Sequence, residues 1–181
     1  MTTLHWTDTG MTIPAVDAVL AVAASHLAVR EAGQNRGRFV EHIQDYAGGE
    51  GAGGQPWCAY WVYFCGHHAL GAKWPLPRTG SVDVLLAYAT AHGAIVPAPV
   101  RGCLFVTISP KNPTDGTHVG FVRDVPADVN GWRTLEGNSN DTGSSEGIGV
   151  FSITRGQKPT AAGVTDKRIY QFIDWTRLFT P

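Results

Sequence analysis

Apolar positions in the first third of the chain recur at helical spacing. Residues 13–30 are mostly apolar, with Pro14 near their start, and this pattern predicts a first helix that follows an arm at residues 1–12. A second, shorter helix is predicted over residues 36–46. It ends at the loop 48–54, because closely spaced glycines favour a turn over a continuing helix.

The most apolar stretch of the chain, residues 56–65, has no polar face. Such a run fits a buried strand or a buried helix, and Pro56 at its start favours a helix that begins there. A helix that is apolar on every side belongs in the centre of a domain. A further helix is predicted over residues 82–92, where Val82, Leu85 and other apolar residues share one face.

The second half of the chain changes from helical to strand-like patterning. Its apolar segments are short, rich in β-branched and aromatic residues, and separated by turn-forming stretches such as 112–116 and 138–143. Helices followed by strands with short connections predict an α+β fold, with a mostly antiparallel sheet of about five or six strands. The predicted strands are 103–108, 118–122, 132–135, 149–153 and 169–173.

A single domain over residues 13–176 accounts for the chain length of 181 residues and the hydrophobic content of 43%. The 14 basic and 15 acidic residues give a net charge of −1, which argues against a nucleic-acid partner because nucleic-acid binding needs a basic surface. No apolar run approaches the ~20 residues that cross a bilayer, so we expect no membrane span. We also expect a monomer.

The cysteines give no sign of a disulfide framework or a metal site. There are three of them, Cys58, Cys65 and Cys103, without a CxxC pair. On one helix, Cys58 and Cys65 would lie about 10.5 Å apart along the axis, beyond the reach of a disulfide. A GxGxxG pattern at 49–54 follows a predicted helix rather than a strand, so it does not indicate a nucleotide cofactor. We expect free thiols, no metal and no cofactor.

Cys58 is the strongest candidate for chemistry. It falls in the first turn of the predicted buried helix, where unpaired N–H groups and the helix dipole favour a thiolate. The same N–H groups could hold the oxyanion that forms when a thiolate attacks a carbonyl. The competing interpretation is structural, since cysteine is among the most frequently buried residues.

A nucleophilic cysteine needs a base, and His118 opens a predicted strand where its ring can face a cleft. Glu136 and Asn138 lie two residues apart, so an extended chain would point both to one face. Either side chain could accept the ring N–H of His118 and fix its orientation. The alternatives are a histidine that merely caps a strand and ordinary turn chemistry at the Gly–Asn pair.

These segments together resemble the CHAP domain family, the cysteine, histidine-dependent amidohydrolases/peptidases of the NlpC-type papain-like superfamily. The resemblance covers about residues 15–155, and the segment from Ala24 to Asn35 resembles the first helix and turn of such domains. The three further segments are 54–62 (GQPWCAYWV), 117–122 (THVGFV) and 135–140 (LEGNSN).

The resemblance implies a papain-like fold, with the catalytic cysteine at the N-terminus of a buried helix, and cleavage of an amide bond in peptidoglycan. It implies that Cys58 is the nucleophile, His118 the general base, Glu136 the orienting group and Asn138 a further site residue. The activity would be that of an N-acetylmuramoyl-alanine amidase or a peptide endopeptidase, because both use these residues.

The chain departs from the family pattern at two places. Gly102-Cys103 stands where members commonly have Gly-Asp, which puts one local turn contact in doubt. Some members bind calcium through aspartates near the cysteine. Here Asp45 and Glu50 are the acids nearby, so we predict no metal site.

Three residues around the nucleophile are candidates for substrate binding. Gln55, three residues before Cys58, could assist at the oxyanion, and Trp57 and Tyr60 could line a groove for glycan or stem peptide. Aromatic residues beside a helix start are more often part of the core.

The biological setting follows from the same expectations. We expect no signal peptide, because no Lys or Arg precedes the apolar segment 13–29 and Asp17 interrupts it. The protein would be made in the cytoplasm and act at the cell wall or periplasm after release or delivery. A phage lysin fits this, and so does a secreted antibacterial toxin with an immunity-protein partner.

Two other hypotheses remain open. One is an acyltransferase or transglutaminase-like enzyme on the same scaffold, in which an amine or alcohol replaces water as the acceptor. The other is a non-catalytic binding module that keeps the fold.

Overall fold

Helices come first along the chain and most strands follow, as the hydrophobic pattern predicts. The structure, a computed structural model, describes residues 9–48, 53–128, 130–140, 147–156 and 168–179. Its helices within these ranges are α1 (Thr9–Ser25), α2 (Arg38–Gly48), α3 (Cys58–Leu70) and α4 (Val82–Ala91). Short 3-10 helices occupy Gly71–Lys73 and Trp175–Leu178.

The described strands form one seven-stranded antiparallel sheet in the order β1-β7-β2-β3-β4-β5, with β6 paired to β4. This confirms the predicted α+β class and the mostly antiparallel sheet. The strands are β1 (Ile95–Val96), β2 (Leu104–Ser109), β3 (Asn112–Asp124), β4 (Trp132–Ser139), β5 (Gly149–Phe151), β6 (Thr154–Arg155) and β7 (Ile169–Ile173).

The first helix starts and ends earlier than its apolar pattern predicts. It begins at Thr9 and contains Pro14, so residues 9–12, which the pattern placed in an arm, are helical. Pro14 is the sixth residue of the helix, past the first turn in which proline is tolerated without cost, so the helix lacks one backbone hydrogen bond there. At the other end, Ser25 Oγ donates to the Val22 carbonyl. Backbone hydrogen bonds from residue i to residue i−3 then replace the i to i−4 bonds of the α-helix. Residues 1–8 and 49–52, with most of the predicted arm and part of the glycine-rich loop, lie outside the described residues.

Strand β3 is longer than the predicted 118–122, because the segment 112–116 is extended rather than a turn. The reversal occurs at Pro110 and Lys111, between the paired residues Ser109 and Asn112. Two register shifts in the β2–β3 ladder keep the apolar residues that follow in phase with the core. Strand β4 likewise runs past Leu135, so it carries Glu136 in its ladder.

Helix α3 packs against one face of the sheet at the centre of the main core. The Trp61 ring lies 5.6 Å from the Phe121 ring, and a Cβ on Gly137 would meet Trp61 at 2.7 Å. Gly66 is equally constrained, because a Cβ there would overlap the Trp74 ring at 2.2 Å. The contacts of Trp61 hold the helix over β3 and β4, and the contact of Gly66 holds it against the segment that follows it. None of the described helices is long and apolar enough to cross a membrane.

The opposite face of the sheet carries a smaller aromatic cluster. Phe105, Val122 and Trp132 belong to it, whereas Val119 and Leu135 belong to the main core. Because side chains alternate along a strand, His118 and Glu136 face the side of the aromatic cluster. The sheet thus separates two apolar layers, and the polar candidates lie on the side away from the body of α3.

Candidate active site

The loop before α3 is held in place by side chains from α2 and from the segment between α1 and α2. Gln44, itself fully buried, donates from Nε2 to the carbonyl of Gln55 at 2.6 Å. The indole N–H of Trp57 donates to Glu31 Oε2 at 3.1 Å. These contacts fix where the helix begins, at Cys58.

Cys58 is the first residue of α3, and 4% of its surface is exposed. The first helical hydrogen bond runs from the Trp61 N–H to the Trp57 carbonyl, so the N–H groups before it have no partner within the helix. The Ala59 N–H is one of these, and together with the N–H of Val119 on β3 it lowers the pKa of the Cys58 thiol. The sulfur therefore lies where a helix start meets a strand.

His118 connects Cys58 to Glu136. Its ring Nε2 lies 2.9 Å from Glu136 Oε2, which leaves Nδ1 to interact with Cys58. The His118 side chain is 18% exposed, so one edge of this otherwise buried row reaches solvent. The three predicted residues Cys58, His118 and Glu136 thus lie side by side in one row.

Glu136 is fully buried and is surrounded by donors. Thr134 Oγ1 lies 2.6 Å from Oε1, and Ser139 Oγ lies 3.0 Å from Oε2. Arg155 donates from Nε to Oε1 at 2.6 Å and from Nη2 to Oε2. A buried carboxylate is stable only when it is paired and hydrogen-bonded in this way.

The electrostatics of the row favour a thiolate beside an imidazolium. Burial raises the pKa of the Cys58 thiol, but the hydrogen bond and positive charge of His118 and the two N–H groups outweigh it, so the pKa is lowered. Burial lowers the pKa of His118, but contacts with Cys58 and Glu136 outweigh it and raise the pKa to about 9. Despite its burial, Glu136 has a pKa well below its usual range, because Arg155 and His118 stabilise its charge. The pKa shifts of Cys58 and His118 both favour the charged pair over the neutral one.

The other two cysteines are different in kind. Burial holds the pKa of Cys65 well above its ordinary value, and burial raises the pKa of Cys103 to about 12. Both are free and buried thiols. Cys65 Sγ lies 3.8 Å from His26 Nδ1, but burial still raises the pKa of its thiol. Cys58 is the one of the three cysteines whose pKa is lowered, through His118, so it is the candidate for the chemistry that the sequence predicts.

Asn138 is not placed as the alternation along β4 predicts. Its φ is +53°, in the left-handed region, and the β4–β5 register shifts between Glu136 and Ser139. This break in the pleat brings Ser139, rather than Asn138, to the side of Glu136. Within the described residues, Asn138 Oδ1 is buried without a hydrogen-bond partner. Between the two candidates, Glu136 is therefore the partner of His118.

The three predicted substrate-binding residues differ in their exposure. Trp57 has no exposed surface, so the groove-lining role predicted for it is wrong, and its ring belongs to the main core. Tyr60 is half-buried with its ring against Gly80, where a Cβ would meet it at 2.0 Å. Gln55 is exposed, and its carbonyl is held by Gln44. For Gln55 and Tyr60, substrate contact stays a prediction.

Arg155, Thr134 and Ser139 were missed by the sequence analysis. Thr134 and Ser139 flank the predicted Glu136. Polar residues at alternate positions of a strand share one face, so this spacing is a weak signal that Thr134 lies beside Glu136. Arg155 has no such signal, because it reaches Glu136 only through the pairing of β6 with β4. Among the described residues, no group of three or more His, Cys, Asp or Glu side chains is arranged to hold a metal ion.

Comparisons with known proteins found no match: no protein-family model, no curated protein and no solved structure is significantly similar to the chain. What the structure establishes is the α+β class with its antiparallel sheet, and the geometry of the row described above.

Proposed function

We propose that the protein is a cysteine hydrolase that cleaves an amide bond in peptidoglycan. The observation that carries this proposal is the row Cys58–His118–Glu136, with the sulfur at a helix start and the carboxylate 2.9 Å from the ring nitrogen. A nucleophile, a base and a group that orients the base are the parts that covalent acyl transfer requires.

The first half of the proposed reaction forms a thioester. The Cys58 thiolate attacks the amide carbon, and the oxyanion that develops is held by the backbone N–H of Cys58 at the start of α3. His118 then gives its Nδ1 proton to the leaving nitrogen, and the C–N bond breaks. Throughout the reaction, Glu136 accepts a hydrogen bond from the Nε2–H of His118, and this keeps Nδ1 directed at the sulfur.

The second half releases the product. Neutral His118 takes a proton from water at Nδ1, and the hydroxide attacks the thioester carbon. The C–S bond then breaks, the product leaves as a carboxylic acid that loses its proton to solvent, and Cys58 returns to the thiolate with His118 protonated. Water can enter at the solvent-exposed edge of the His118 ring.

Peptidoglycan is proposed as the substrate because of the resemblance of three ordered segments to CHAP domains, and with it we propose a papain-like arrangement of the fold. The resemblance is most specific in the catalytic residues. The contacts among Cys58, His118 and Glu136, which match the family's nucleophile, base and orienting group, support this assignment. We propose action at the cell wall after release or delivery, either as a phage lysin or as an antibacterial toxin with an immunity protein.

Digestion of purified peptidoglycan tests this proposal. Walls of several chemotypes are incubated with the protein in reducing buffer, and soluble products are read by mass spectrometry. We expect fragments that carry one added water at a cleaved amide, and their masses identify the bond. A sample alkylated at Cys58 with iodoacetamide is the control and should release nothing.

Two results would overturn the hydrolase proposal. Fragments that carry an added amine in place of water would favour an acyltransferase. No release from any chemotype, with the thiols reduced, would favour a binding module.

A further inference from the structure

The orientation of the Glu136 carboxylate is set from the side opposite His118. Arg155 approaches with two nitrogens, Nε to Oε1 and Nη2 to Oε2, in the parallel fork that matches a carboxylate. His118 takes the Oε2 oxygen at 2.9 Å. Two hydrogen bonds from Arg155 therefore fix the plane of the carboxylate, whereas His118 makes a single hydrogen bond to it.

Arg155 is itself held rigidly. It lies on β6 opposite Trp132 of β4, and only 8% of its surface is exposed. Its guanidinium carbon lies 5.4 Å from the centre of the Phe105 ring. The side chain of Tyr170, on β7, makes a hydrogen bond with the Arg155 side chain. A planar group that is stacked and hydrogen-bonded on three strands can hold another group in one orientation.

We propose that Arg155 is a positioning residue for the reaction: its fork orients the Glu136 carboxylate toward His118 and balances its charge. The proposal rests on the proposed function, because it assigns a role in the same catalytic row. Arg155 acts through Glu136 and is given no contact with substrate.

The charge balance explains why such a residue is needed. The groups that face Glu136 are His118 from β3, Arg155 from β6 and the hydroxyls of Thr134 and Ser139, and Cys58 faces His118 from α3. With thiolate, imidazolium, carboxylate and guanidinium present, two negative and two positive charges cancel. Without Arg155, a fully buried carboxylate would rely on the imidazolium alone, and every proton in the row would be held more tightly.

The test compares Arg155→Met, Arg155→Lys and Phe172→Leu. Methionine removes the charge and the fork, lysine keeps only the charge, and Phe172 is a buried member of the neighbouring aromatic cluster. In Arg155→Met we expect both limbs of the pH–rate profile to move to higher pH, by ~1 unit or more. In Arg155→Lys we expect limbs near those of the wild type but kcat about tenfold lower at unchanged KM, because one ammonium cannot fix the carboxylate plane.

Cys58 alkylation by iodoacetamide is the second readout, since it needs no peptidoglycan. Its pH dependence should shift upward in Arg155→Met and stay in place in Phe172→Leu, whose melting temperature alone should fall. If wild-type protein digests no peptidoglycan but the alkylation profile shifts as expected, the proposed function fails and the positioning role stands.

Unchanged pH limbs in Arg155→Met would reduce Arg155 to a structural residue and overturn the proposal. If Arg155→Met does not fold, Arg155→Lys decides. A wild-type kcat in that variant overturns the proposal, and a selective loss of kcat supports it.

Discussion

Replacing Cys58 with alanine is expected to abolish peptidoglycan digestion, with a loss of at least about 10³-fold. The thioester cannot form without the sulfur, and the backbone N–H groups alone do not attack a carbonyl. The Cys58→Ser variant should lose nearly as much, because a hydroxyl has a far higher pKa than a thiol and His118 is already protonated at neutral pH. Initial rates of fragment release measure both.

The matched control for this prediction is Cys65→Ala. Cys65 lies on the same helix and is equally buried, but burial raises the pKa of its thiol and His118 does not contact it. We expect Cys65→Ala to keep its activity within about threefold, with a modest loss of stability from the small cavity. If Cys58→Ala retained a tenth of the wild-type rate, Cys58 would not be the nucleophile.

Replacing Glu136 with leucine is expected to destabilise the protein by about 3–5 kcal/mol. The loss arises because the Arg155 guanidinium stays buried while its two hydrogen-bond acceptors are gone. Urea denaturation at neutral pH measures the difference in the free energy of unfolding. The same variant should also lose activity, because His118 then lacks the group that orients it.

The double variant Glu136→Leu/Arg155→Met separates the two effects. It replaces the whole ion pair with apolar side chains, so we expect most of the stability to return while activity does not. A single variant that lost less than about 1 kcal/mol would contradict the buried pair as described.

The pH dependence of stability follows from the same pKa shifts. Glu136 has a folded-state pKa below its ordinary value of 4.5, so its stabilising contribution is present above pH 4.5 and is lost as pH falls further. His118 has a folded-state pKa raised from 6.5 to about 9, so its contribution is present below pH 6.5 and is lost as pH rises through 9. The Glu136→Leu variant should lack the part of the stability loss below pH 4.5 that comes from protonation of Glu136.

The helical half of the fold could be predicted from local patterns. The apolar run at 56–65 and its proline identify α3 and place Cys58 near its start, because an unbroken run of apolar residues and a preceding proline are local properties of the sequence. The end of α1 could not be predicted, since it depends on a hydrogen bond from Ser25 and on the turn that follows.

The candidate site was predictable where it depends on the position of a residue in its own helix or strand, and not where it depends on how the strands pair. Cys58, His118 and Glu136 each lie at a recognisable position, and the structure brings them together. Asn138 was expected beside Glu136, but a left-handed residue breaks the alternation that the prediction assumed, and Ser139 takes that place. Arg155 was missed because only the pairing of β6 with β4 brings it to the carboxylate.

The central claim is that His118 lowers the pKa of the Cys58 thiol below its ordinary value and so favours a thiolate. The most direct test is the rate at which iodoacetamide alkylates Cys58 between pH 4 and pH 10, located by peptide mass mapping, in the wild type and in His118→Ala. The account predicts a wild-type midpoint below the ordinary thiol value of 9.0, and a rise of ~1 unit or more when His118 is removed. Buried Cys65 in the same sample should stay unmodified. A wild-type midpoint at or above 9.0, or one that His118→Ala leaves in place, would contradict the account.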